Sequence, residues 1–146
     1  MHLEGSFTVR APRERVWAFF TNPHALSRAI SDPHDIEVVD EDHFKGWVRS
    51  GVGFIKGTFT GSASIMEKTP PEHGRIKAHG SGMGSGVDAE STIAMSESAG
   101  FTTVRWEAEV VLSGTIASVG ARLLRGVIDK KTNEFFENVR TLVEAG

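Results

Sequence analysis

The chain has 146 residues, no cysteine and a formal charge of -3, with charges of both signs scattered along it. That length fits one domain over residues 1–146 that can bury a core without staples, and the missing thiols exclude disulfides, thiolate zinc sites, iron–sulfur clusters and cysteine nucleophiles. No cationic face suits a nucleic-acid backbone, the longest apolar run, Val16 to Phe20, cannot span a bilayer, and Met1-His2-Leu3-Glu4-Gly5 is no signal peptide, so a cytoplasmic protein without a nucleic-acid partner is expected.

Residues 2–11 alternate, with Leu3, Gly5, Phe7, Val9 and Ala11 on one face, which predicts a half-buried strand. Pro12 suits the first position of a helix, and Val16, Phe19 and Phe20 recur at helical spacing to about Phe20. Asn22-Pro23 repeats the start signal for a second short helix, with Leu26 and Ile30 four apart and Asp32-Pro33 as its end. From 35 to 114 the texture becomes extended. Residues 36–39 and 44–50 flank Asp40-Glu41-Asp42 as a hairpin, 55–65 alternate in one long strand ending at Thr69-Pro70-Pro71-Glu72, and 75–80, 89–95 and 101–112 complete the set. Short connections make these an antiparallel meander with one wet face. Residues 115–145 carry Ile116, Val119, Leu123, Val127, Ile128, Phe135, Val139 and Leu142 at three- and four-residue spacing, one amphipathic helix of roughly 45 Å. The expected fold is α+β: a seven-stranded antiparallel curved sheet, two short helices after strand 1, and a long C-terminal helix over the apolar face.

The inward phase of these strands is small-sided, with Gly5, Gly57, Gly61, Ala63, Ala78, Gly80, Ala89 and Ala108 among the larger apolar residues. Either glycine lets the strands coil and the helix approach until everything is filled, or the curled sheet encloses more volume than one helical stripe fills and an apolar pocket remains. In the second case the expected lining is Phe59, Ala63, Ala78, Ile93, Trp106 and Ala108 from the sheet, with Leu123 and Val127 from the helix.

Chemistry-bearing motifs are sparse. The six histidines never take HxH or HExxH spacing, so no metal site is expected, and there is no GxSxG elbow or Walker loop, so no catalytic residue is assigned. Asp32 with Asp35, and Asp40-Glu41-Asp42, read as solvated turn carboxylates. The stretch His79-Gly80-Ser81-Gly82-Met83-Gly84-Ser85-Gly86 fails as a dinucleotide loop, because GxGxxG would need glycine where Ser85 or Val87 stands and a strand-to-helix turn that is absent. It reads as a long, pliable hairpin turn in which Gly82, Met83 and Gly84 form a gate over the interior.

Val9-Arg10-Ala11-Pro12-Arg13-Glu14-Arg15-Val16-Trp17-Ala18-Phe19-Phe20-Thr21-Asn22-Pro23 resembles the opening of the START-like (SRPBCC) superfamily with its helix-grip fold. Leu3-Glu4-Gly5-Ser6-Phe7, Gly46-Trp47-Val48, Val52-Gly53-Phe54-Ile55, Phe59-Thr60-Gly61 and Gly114-Thr115-Ile116-Ala117-Ser118-Val119-Gly120-Ala121-Arg122 are similar, more narrowly, to the carbon monoxide dehydrogenase CoxG family. The resemblance covers essentially the whole chain. It implies a non-catalytic accessory protein of molybdenum-containing hydroxylases of the carbon monoxide dehydrogenase type, in peripheral contact with the membrane, with a cavity for a quinone or lipid and no cofactor of its own. Many family members continue beyond the long helix whereas this sequence stops at Gly146, so a tail-borne anchor is not expected. Other START-like branches contain cyclases, dehydratases and hydrolases; such an enzyme would need an inward polar cluster, which His79, Asp88 and Ser91 could supply. A pure docking adaptor is the third reading.

Overall fold

The computed structural model describes residues 1–145. Strand β1 (His2–Val9) is followed by helices α1 (Arg13–Phe20) and α2 (Pro23–Arg28), then by β2 (His34–Asp40), β3 (His43–Val52), β4 (Ile55–Thr69), β5 (His73–Gly82), β6 (Ser85–Ser98) and β7 (Phe101–Gly114). A single 3-10 turn (Thr115–Ser118) leads into helix α3 (Ala121–Ala145). The strands form one antiparallel sheet in the order β1-β7-β6-β5-β4-β3-β2, so the first strand closes on the last of the meander and β1 and β2 are the edges. The α+β arrangement read from the sequence is the one the chain adopts.

Local chemistry accounts for the element ends. Asn22 caps α2 by accepting from the backbone amides of His24 (3.0 Å) and Ala25 (3.4 Å), with Pro23 next in place. The β5–β6 stretch is not the long pliable turn expected. Pairing continues to Gly82 opposite Ser85, and only Met83 and Gly84, both with positive φ, make the two-residue connection. Glycine in β5 also serves close strand approach, since a Cβ on Gly82 would lie 2.5 Å from the Thr58 carbonyl oxygen.

The terminal helix also begins later than its periodicity suggests. Gly120 sits at φ +106, outside helical space, and the 3-10 turn before it has a period near three, which keeps Ile116 and Val119 in phase with the α-helical stripe. Apolar spacing therefore runs through the break unchanged. The 25 residues of α3 give about 37 Å of helix.

Two separate apolar clusters hold these layers together. The larger joins all three helices to the sheet through Val16, Trp17, Phe19, Phe20, Leu26, Val104 and Val139, and Phe136 of α3 stacks on Phe7 (4.5 Å between ring centroids) and Trp106 (5.2 Å). The smaller, Ile55, Ile116 and Leu124 with Val52, Phe59 and Val87 against them, lies at the N-terminal end of α3. Ser85 ties this end down, its hydroxyl oxygen accepting from the buried Ile116 amide at 2.8 Å.

Candidate ligand cavity

Two adjacent rungs of the sheet carry almost no side chain on their concave face. In one, Gly46, Gly61 and Gly80 are Cα partners across β3, β4 and β5; in the next, Phe44 is followed by Ala63, Ala78 and Ala89. Above this bare floor is an open apolar cavity of about 350 Å³, a size typical of small-molecule sites. Ile36 and Val48 form one side, Val52, Phe59, Val87 and Ile116 of the smaller cluster close one end, and Ile30 reaches in from the segment after α2. Glycine at the floor does more than leave room. A Cβ on Gly46 would overlap the Asp35 carbonyl and one on Gly61 would lie 2.5 Å from the His79 carbonyl oxygen, so these positions let neighbouring strands close up as the sheet coils.

Only His34 and Ser50 bring polar side chains to the concave side of the lining, because Lys45, Trp47, Thr60, Ser62 and His79 occupy the outward, exposed phase of their strands. The Ser50 hydroxyl donates to Asp32 Oδ2 at 2.9 Å, and Lys131 Nζ of α3 donates to the same oxygen at 2.8 Å. His34 Nδ1 lies 2.7 Å from the Asp32 carbonyl and its Nε2 2.9 Å from the Ser27 hydroxyl, so in the neutral ring Nδ1 carries the proton. Two turns along α3, Asn138 donates to the Ala29 carbonyl (3.0 Å) and to Ser31 Oγ (2.8 Å). Residues 29–34 are thus a strap that α3 holds against the cavity's polar end.

Asp32 departs from the solvated turn carboxylate expected of it. Partial burial pushes its carboxyl up, but the hydrogen bonds from Lys131 and Ser50 and the Lys131 charge outweigh that and hold it below its ordinary value of 3.8. A carboxyl lowered in the folded state contributes stability that is complete above the unfolded-state value and lost as pH falls through the folded one. Asp32→Asn should therefore destabilise the protein at pH 7, and the gap to the parent should narrow as the pH is taken down below 3.8, as read by urea unfolding across that range.

The expected lining residues separate into groups. Phe59, Ala63 and Ala78 line the cavity together. Ile93 and Trp106 sit in the larger cluster, with Trp106 packed over Gly5, and Ala108 lies one rung away between Leu3 and Ser91. Leu123 and Val127 line a shallow groove on α3 with Val119, Gly126 and Lys130. With Lys131 they form one i, i+4, i+8 stripe running from the β3–β4 turn, where Gly53 meets Leu123, to the Asp32 ion pair. Gly82, Met83 and Gly84 lie at the hairpin tip, where Met83 covers Gly57 and is outside the cavity lining.

His79 pairs with Asp88 at 2.7 Å on the solvent face, while Ser91 stands on the other phase of β6, so the three form no single cluster. Among the described residues no three His, Asp or Glu side chains converge to hold a metal ion. Sequence reasoning passed over Gly46, Val48 and Ser50 as lining, although the alternation of β3 places all three on one face. Lys131 carried no such signal, being 99 residues from Asp32.

The family model for CoxG, the G subunit of carbon monoxide dehydrogenase, matches residues 5–144. No curated protein matches the chain. Among solved structures, a conserved protein from Geobacillus kaustophilus is similar with a TM-score of 0.91 at 24% identity, covering 98% of this chain and 95% of that one. A START superfamily protein from Mycobacterium smegmatis follows the same fold (TM-score 0.75, 8% identity, 99% and 97% covered), as does a protein from Chromobacterium violaceum (0.73, 17%, 98% and 97%).

Proposed function

The chain belongs to the carbon monoxide dehydrogenase CoxG family, and from that premise we propose that it is a non-catalytic accessory protein of a carbon monoxide dehydrogenase-type enzyme that carries a quinone or lipid in its cavity and couples the enzyme to the membrane or to an electron acceptor. The observation that carries this reading is the apolar space of about 350 Å³ above the glycine and alanine rungs. A buried apolar ligand gains about 25 cal/mol per Å² removed from water, and this floor offers that gain with little competing side chain.

Peripheral membrane contact is supported by a patch beside the smaller cluster. Phe54, 69% exposed at the tip of the β3–β4 turn, follows Gly53, which meets Leu123, 49% exposed, and the exposed cations Arg122 and Lys130 line the same groove of α3 as Leu123. An exposed apolar tip with cations beside it suits the interface of an anionic bilayer. No helix among the described residues is long and apolar enough to cross a membrane, so contact through this patch would be superficial.

Protein incubated with anionic vesicles containing a long-chain quinone, then analysed by native mass spectrometry, is expected to carry one added quinone or phospholipid. Phe54→Ser should slow that loading from vesicles and leave loading from detergent solution unchanged. An unshifted mass under both conditions would replace the carrier reading with that of a docking adaptor.

A further inference from the structure

The polar end of the cavity has a directionality that the apolar floor lacks. Ser50 stands in the inward phase of β3 and lines the cavity, yet its one proton is committed to Asp32 Oδ2. A hydrogen bond to a charged acceptor is worth more than one to a neutral acceptor, and the Lys131 ammonium on the same oxygen keeps Asp32 ionised and in place. The hydroxyl is thereby held with its proton turned away and its lone pairs left for the cavity. His34 offers little beside it, since both ring nitrogens already have partners. The Asp32–Lys131 pair is neutral overall, so this end gives no net attraction to a carboxylate or phosphate head.

Resting on the carrier reading, we infer that Ser50 is a specificity-determining hydrogen-bond acceptor, positioned by Asp32 and Lys131, for an amphiphile whose head carries a neutral hydroxyl, an alcohol or phenol in preference to a ketone or ether, which within that reading favours the reduced, quinol form of a quinone or a neutral lipid alcohol. The tail lies along the Gly46, Gly61 and Gly80 rung, and the head donates to Ser50 Oγ. A carbonyl head presents only lone pairs to lone pairs unless Ser50 turns its proton from Asp32, which gives up the stronger bond. Asp32 is a positioning residue here, acting on the ligand through Ser50.

The test uses the full chain and three probes of equal length, n-dodecane, 2-dodecanone and 1-dodecanol, each displacing a fluorescent naphthylamine from the cavity. Dodecanol is expected to bind about tenfold more tightly than the ketone, the worth of one hydrogen bond. Ser50→Ala should bring the alcohol down to the ketone and leave dodecane unchanged, and Ser50→Thr should restore the preference. Asp32→Ala, which frees the hydroxyl to turn, should raise the ketone towards the alcohol, a change that mere loosening of the strap would not produce. Equal binding of alcohol and ketone by the parent protein, or a preference that survives Ser50→Ala, overturns the assignment while dodecane binding keeps the carrier reading intact. Failure of all three probes to displace the dye overturns both.

Discussion

Ala78→Phe is expected to reduce the affinity for an apolar ligand by at least about 30-fold while the protein stays folded. Ala78 is the middle of the Ala63, Ala78 and Ala89 rung and lines the cavity. A phenylalanine there fills space that the ligand would occupy and removes the floor it would rest on. Aromatic side chains bury about 150–250 Å², and at about 25 cal/mol per Å² a ligand denied even half of such a contact loses about 2–3 kcal/mol. That is about 30- to 150-fold in affinity. Gly80→Leu on the neighbouring rung is the companion variant, because a Cβ there meets only the Thr60 carbonyl oxygen at 3.7 Å, an ordinary contact. Both variants should melt at or above the parent temperature, since filling an open space adds contacts. Fluorescent-probe titration alongside thermal melts provides the check. Undiminished binding in a folded Ala78→Phe protein would place the ligand elsewhere.

The floor of this cavity was partly legible in the chain. Strict alternation in residues 55–65 put Phe59, Gly61 and Ala63 on one face, and the same phase extended to Ala78, Gly80 and Ala89. Where along the sheet the space opens was not legible. The large residues that fill the rest come from α1 and from Phe135 and Phe136, and only the coiled sheet decides which rungs they reach. Trp106 and Ile93 carry the same inward phase as Phe59, yet Phe136 of α3 packs on Trp106 and Ile93 is buried in the larger cluster. The polar end was illegible for another reason. Asp32, Ser50 and Lys131 come from a loop, a strand and a helix, none in a recognisable spacing, and become a unit only through tertiary contact. Helix starts show the limit of periodicity itself: Asn22-Pro23 announced α2 through capping chemistry, whereas the 3-10 turn before α3 imitated the helical period and concealed the break at Gly120.

Trp17→Ala should have the largest effect on stability and almost none on the intrinsic affinity of the cavity. Trp17 is 9% exposed on α1, within the larger cluster, and its ring covers Gly74 of β5, where an added Cβ would lie 3.2 Å from Trp17 Cη2. Because Gly74 has no side chain to move into the vacated space, the hole left by the indole closes poorly. Truncations of this kind cost about 3–5 kcal/mol, a large share of the roughly 5–15 kcal/mol available to a domain. For a chain of this length the melting temperature should fall by about 10–15 °C. None of the residues lining the cavity belongs to this cluster; those shared with a core, Val52, Phe59, Val87 and Ile116, belong to the smaller one. The layer that secures the fold and the surface offered to a ligand are thus different sets of side chains, which is how a domain can keep an open interior and remain folded. At a temperature where Trp17→Ala is still native, the naphthylamine probe should bind within about twofold of the parent, because additivity holds between sites that share no partners. A loss of binding that exceeds the unfolded fraction would show that the two clusters act as one, and that the cavity is shaped by the packing of α1 as well as by the bare rungs of the sheet.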